Sequence, residues 1–190
     1  MPGPTATILF PESTTSLVEG WNRMISARAI AREMLDFWIS ATSIGQVDRS
    51  LPFYSRCCHP GDADWNLAGD AASVIQAAFG FVPQVQISVG SMCRDSSSDR
   101  ILGELAAGIL REHRGVLMFD GLLAPTLDPD KWKRWYALPP AERVNAFSAA
   151  IGVHPGKIVA STLDGDPICH IVDLEFLAFW MNHKAFHFVN

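Results

Sequence analysis

The chain has 190 residues, of which 48% are hydrophobic and 18% charged. That is ample apolar surface for an independent core, without the polar, highly charged composition of a disordered segment. Fifteen Lys and Arg stand against twenty Asp and Glu, a net charge of −5, which disfavours direct contact with nucleic acid and favours steering toward a basic protein surface.

Met1 to Phe10 lack the basic start, apolar stretch and small-residue cleavage pattern of a secretory signal. The apolar runs are interrupted well before the ~18 residues a membrane helix needs. A cytoplasmic protein without a membrane partner is expected, its four cysteines, Cys57, Cys58, Cys93 and Cys169, in the reduced state.

In chain order, Thr5 to Phe10 is β-branched and apolar, stops at Pro11 and predicts a strand. Ser16-Leu17-Val18-Glu19 has the S-x-x-E form of a capping box. Leu17, Trp21, Met24 and Ile25, continued by Ile30 and Met34, predict a helix reaching about Leu35. Phe37 to Ser40 fits either helix or strand. Gly45 to Gly61 reads as irregular, with a possible short strand at Leu51 to Ser55. Leu67, Ala71, Val74, Ile75 and Ala78 then predict a helix from Asp64, capped by Asp62 or Asp64 and ended by Gly80.

Gln84 to Val89 alternates polar and apolar residues and predicts a strand with one buried face, the other meeting solvent or a partner. A helix capped by Ser97 or Ser98 follows, with Ile101, Leu102, Leu105, Ile109 and Leu110 on its inner side and Gly115 beyond its end. Val116 to Phe119 is apolar throughout, as in a central strand covered on both faces. Asp128-Pro129 and Pro139-Pro140 each predict a helix start. Asp164-Gly165 predicts a tight hairpin between Lys157 to Leu163 and Pro167 to Val172, with Pro167 at a sheet edge or a strand start. Asp173 caps a last helix, and Ala185 to Val189 fits a final short strand. The expected fold is a single α+β domain over residues 1–190: a mixed or antiparallel central sheet, packed helices and a C-terminal hairpin-helix unit.

The side chains that carry chemistry form no strong motif. Cys57-Cys58-His59 with Asp62 and Asp64 is the densest group of potential ligands, but adjacent cysteines do not easily face one ion. His183 and His187 have the spacing of two ligands on one helical face, yet Lys184 stands where H-E-x-x-H requires the glutamate base. Cys93, between a strand and a helix, could become a nucleophile with His170 or His154 as its base, though no spacing ties either to it. Asp95, Asp99 and Asp120 carry no paired-carboxylate signature, and the glycines never assemble into a phosphate loop. No metal, cofactor or catalytic residue is therefore expected. Trp132 and Trp135, amid Lys131, Lys133, Arg134 and Tyr136, are the best local signal, an aromatic and basic cluster suited to anchoring a protein partner.

Three stretches together resemble bacterial proteins with the features of polymorphic-toxin immunity proteins. They are Ala78-Phe79-Gly80-Phe81-Val82-Pro83 running into the strand with Cys93, the segment Asp99 to Leu123 with Phe119-Asp120-Gly121, and His170 to Leu177 through Phe186 to Val189. The resemblance covers a little over half of the chain and concerns scaffold; Lys131 to Ile151 lies outside it. It implies a protein that binds a cognate toxin domain and blocks it stoichiometrically. Acidic loop residues Asp62 and Asp64, with Trp132 and Trp135 as aromatic anchor, are the expected contact points. The alternatives are a small enzyme using Cys93 or a His/Cys site, and a structural subunit of a larger complex.

Overall fold

In the computed structural model, which describes residues 3–40, 50–65, 67, 69–93 and 96–188, the chain opens with β1 (Thr5–Phe10) and α1 (Thr15–Arg28). A meander of β2 (Ala29–Glu33), β3 (Asp36–Ser40) and β4 (Ser50–Cys58) follows. Next come α2 (Ala71–Phe79), β5 (Val85–Ser91), α3 (Ser96–Glu112), β6 (Val116–Phe119), α4 (Pro129–Tyr136) and α5 (Pro140–Ile151). The hairpin β7 (Ile158–Leu163) and β8 (Asp166–Val172) leads into α6 (Leu174–Met181). The strands form one antiparallel sheet in the order β2-β3-β4-β5-β1-β6-β8-β7. This is the expected α+β architecture. No helix among the described residues is long and apolar enough to cross a membrane.

The two faces of the sheet are covered unequally. One presents Ala6, Ile8 and Phe10 of β1, Val85, Ile87 and Val89 of β5, Phe37, Ile39, Leu51 and Phe53 of the meander, and Leu117 and Phe119 of β6 to the main core. Leu17, Trp21 and Ile25 of α1, Leu102 and Leu105 of α3, Phe147 of α5 and Phe176, Leu177 and Trp180 of α6 close that core. Because side chains alternate along a strand, the other face carries Leu9, Val116, Met118, Cys169 and Ile171, which pack on Ala71 and Ile75 of α2 and on Phe81. The polar residues of β1, β4 and β5 on that same face lie beyond this patch.

Several local expectations are met. Asp128 accepts hydrogen bonds from the amides of Asp130 (3.0 Å) and Lys131 (3.2 Å) at the start of α4, Pro140 opens α5, and Asp173 accepts from the Phe176 amide at 2.9 Å. Gly80 ends α2 at φ 77°, a left-handed conformation. Asp164 and Gly165 take φ 53° and 89°, as a two-residue primed turn requires. Pro167 sits near the start of β8, while β7 forms the sheet edge.

Other expectations are corrected. The α1 cap is Thr14, whose hydroxyl accepts from the Leu17 amide at 3.1 Å; Ser16 is already helical. The helix ends at Arg28, and Ile30 and Met34 do not continue its apolar face: they are 62% and 88% exposed. Pairing of β2 with β3 overrides the helical period there, and Met34 takes φ 51° in the two-residue connection. Phe37 to Ser40 is strand, and the Leu51 to Ser55 segment is part of the nine-residue β4, which also holds Cys57 and Cys58.

The second helix starts after Asp70, so neither Asp62 nor Asp64 caps it and Leu67 precedes it. Ser97 and Ser98 are buried within α3 rather than capping it. Ala185 to Phe188 is not a strand, because the chain turns back on itself after α6. Gly45, Asp95 and Val189 lie outside the described residues.

Candidate functional site

Where the α2 patch stops, the face it leaves open forms a cavity of about 530 Å³. Its wall comes from alternate residues of neighbouring strands: Thr5 and Thr7 of β1, Gln86 and Ser88 of β5, Tyr54 and Arg56 of β4. Asp64, Met118, Asp120, Ile168 and Cys169 also line it. The register explains the grouping. Thr7 and Arg56 both lie opposite Ser88, and Thr5 and Tyr54 both lie opposite Gly90. A Cβ at position 90 would come within 2.4 Å of the Tyr54 ring, so glycine lets the tyrosine lie across β5. From there its hydroxyl reaches Thr5 Oγ1 at 3.3 Å. Gln86 Nε2 donates to Ser88 Oγ at 2.9 Å.

The polar half of the alternation turns into the cavity: Gln86 is 4% exposed and belongs to the cavity wall, Ser88 is half-buried beside it, and Gln84, just ahead of β5, is exposed.

Two charged groups in the cavity are matched. Arg56 and Asp64 form an ion pair, each about half exposed. Asp120 is different. It continues the Val116, Met118 alternation one step past the end of β6, and among the described residues its carboxylate takes part in no hydrogen bond or ion pair. Solvent reaches it through the open cavity, yet surrounding protein raises its pKa from 3.8 to about 6 by making the charged form harder to hydrate. Burial also lifts Cys169, the nearest thiol on the wall, to about 11, which keeps it protonated and unreactive at neutral pH. The site presents hydroxyls, an amide and one carboxylate without a partner among the described residues.

A family model matches residues 2–190, nearly the whole chain. The chain belongs to DUF6368, a family of unknown function. No curated protein and no solved structure matches it.

In this DUF6368 chain the residues expected to bind a partner fall in different places. Asp64 is on the cavity wall. Asp62 is in the preceding turn, where it accepts a hydrogen bond from the His59 amide at 2.7 Å. Trp132 and Trp135 belong to α4. The Trp132 ring is 41% exposed and packs on Tyr136 with centroids 4.2 Å apart. Trp135 is 5% exposed and sits in a separate cluster with Leu122 and Ala124, against Leu138 and Val144. Of the two tryptophans, Trp132 is the one with exposed surface. No hydrogen bond or ion pair among the described residues links this pair to Asp62 or Asp64.

The cysteine and histidine candidates are also dispersed. Cys57 is exposed and Cys58 buried, as alternation along β4 requires, so the two cannot converge on one ion. Burial raises both thiols. No hydrogen bond joins Cys93 to either proposed base. His170 is 2% exposed and receives the Leu123 amide on Nδ1 at 2.9 Å, while His154 packs edge-on against Phe176, centroids 4.8 Å apart. Burial holds His170 neutral, its pKa lowered to about 3.

His183 and His187 lie beyond the end of α6, not on a helical face. The first stacks on Trp180, centroids 4.9 Å apart, and the second meets the same indole edge-on. Asp120 was missed because its importance depends on the incomplete cover of a distant sheet face. The local signal was an alternation, Val116, Met118, Asp120, hidden inside a continuous apolar run.

Proposed function

We propose that the chain is a binding protein whose working surface is the polar cavity on the open half of the sheet, and that its partner is a toxin domain it neutralises by stoichiometric contact in the cytoplasm of the cell making both. The observation that carries the reading is the wall of Thr7, Gln86 and Ser88 on β1 and β5. Polar residues on central strands leave a concave surface able to satisfy the hydrogen bonds of an inserted segment. The net charge of −5 favours fast association with a basic partner. Trp132 and Tyr136, both partly exposed on α4, supply a second aromatic contact.

The test is co-expression with any toxin domain found encoded beside the gene, scored by growth and by co-elution of the purified pair. Ser88→Trp, which fills the cavity from its wall, is expected to abolish the complex while leaving the thermal melting temperature of the free chain nearly unchanged. Failure of the wild-type chain to form a complex or restore growth would remove the toxin reading. A complex that tolerates Ser88→Trp would move the interface away from the cavity.

A further inference from the structure

We infer that the cavity receives the guanidinium group of an arginine side chain from the protein partner, with Asp120 as its counter-ion. The inference rests on the cavity being the binding surface and names the chemistry it selects. Among the described residues, the titratable groups lining the cavity are Tyr54, Arg56, Asp64, Asp120 and Cys169. Arg56 and Asp64 neutralise each other, Cys169 stays a neutral thiol, and Tyr54 is engaged with Thr5. Asp70, behind Cys169, is committed to Ser161 and Thr162. That leaves Asp120 as the negative charge on the wall with no cation beside it among the described residues.

Asp120 is itself exposed at the cavity wall, but with protein on one side its attraction for an incoming cation is screened less than it would be in bulk water. Guanidinium fits better than ammonium for two reasons. It pairs with a carboxylate through two parallel N–H donors, and its remaining donors need further acceptors, which the hydroxyl of Thr7, on the strand next to β6, provides. It is also more weakly hydrated, so entering the cavity costs less. A cavity of about 530 Å³ is within the size range of sites that enclose small ligands.

The probe is N-acetyl-L-arginine amide, titrated into the isolated chain and followed by amide and carboxyl NMR shifts. N-acetyl-L-lysine amide and the uncharged N-acetyl-L-norleucine amide serve as comparisons. Saturable shifts are expected at Thr7 and Asp120, with binding of the arginine probe at least tenfold tighter than that of either comparison. Asp120→Asn should weaken it tenfold or more at pH 7.5. In the wild-type chain the affinity should drop about tenfold between pH 7.5 and 5, as the ionised fraction of Asp120 falls.

Equal binding of the lysine or norleucine probe would overturn the guanidinium assignment, as would retained affinity at pH 5 or in Asp120→Asn. The pH series needs no variant, so a misfolded Asp120→Asn does not blunt the test. A toxin complex insensitive to Asp120→Asn, with no arginine binding, would sink this inference and leave the proposed function standing. Arginine binding without a toxin complex would do the reverse.

Discussion

Replacing Trp135 separates a core role from an interface role, and its size follows from the surroundings. The indole is 5% exposed, with Leu122, Ala124, Leu138 and Val144 around it and Arg143 above the ring at 5.6 Å. Burying roughly 200 Å² of aromatic surface is worth about 5 kcal/mol at ~25 cal/mol/Å², an upper bound because the unfolded chain already hides part of it. The buried Nε1–H finds no acceptor among the described residues, which returns about 1–2 kcal/mol. Trp135→Ala should therefore cost about 3 kcal/mol, within the usual span for such truncations.

Trp135→Phe removes the unmatched N–H along with part of the ring, so it should cost less than about 1.5 kcal/mol. Trp132→Ala gives up mainly the stacking on Tyr136, about 1 kcal/mol. Urea unfolding with linear extrapolation measures all three. The melting temperature should fall by roughly 6–12 °C for Trp135→Ala, at about 2–4 °C per kcal/mol for a domain of this size. A cost below 1 kcal/mol for Trp135→Ala would refute the packing assignment. A Phe variant as damaging as the Ala variant would show that the N–H has a partner worth keeping.

His170 makes the fold acid-sensitive. Its folded pKa of about 3 is far below the unfolded value, so the stability it contributes is complete above about pH 6.5 and is lost as pH falls toward 3, by about 2 kcal/mol at pH 5. His170→Asn keeps an acceptor for the Leu123 amide and should flatten that slope; the comparison cancels Asp120, whose raised pKa acts with the opposite sign. Identical pH profiles of urea stability in the two proteins would exclude a buried neutral imidazole. Asp70 ties the start of α2 to β7 by accepting from the Thr162 amide at 2.7 Å, the Thr162 hydroxyl at 2.9 Å and the Ser161 hydroxyl at 3.0 Å. Asp70→Ala should cost about 2 kcal/mol after discounting for solvent exposure and speed exchange of the Thr162 amide, and a cost under 0.5 kcal/mol would mean that water replaces the carboxylate without loss.

Features encoded within a few residues were legible in the chain. A cap or a primed turn is specified by local hydrogen bonds and backbone preferences, as at Asp128-Pro129, Asp164-Gly165 and Asp173. The edge of α1 was not legible, because Ile30 and Met34 satisfy a helical period that only pairing with β3 overrides. The same non-local pairing turned much of the supposedly irregular stretch before Gly61 into β4, flanked by β3 and β5. The candidate site was hidden for a related reason. Gln84 to Val89 announced a two-faced strand, but which strands of the polar side remain uncovered depends on where one short helix lands. Trp135 stood out in the sequence as a rich contact residue, and the structure gives that contact to its own core.

The reach of α2 explains why the cavity is where it is. Nine helical residues span about 13 Å, and strands spaced about 4.8 Å apart make the sheet roughly 34 Å wide. The apolar patch that includes α2 lies over the β6–β8–β7 end together with Leu9 of β1. The boundary between cover and opening thus runs across β1 itself: Leu9 at its end is under the α2 patch, while Thr7 and Thr5, two and four residues earlier on the same face, line the cavity. Apolar residues at positions 5, 7, 86 and 88 would remove the donors and acceptors of the cavity wall. Threonine, glutamine and serine keep the strands β-compatible and leave donors and acceptors for an occupant. The polarity of that face goes with incomplete cover by α2, and Asp120 at its margin, without a partner among the described residues, is the element that incomplete cover alone does not require.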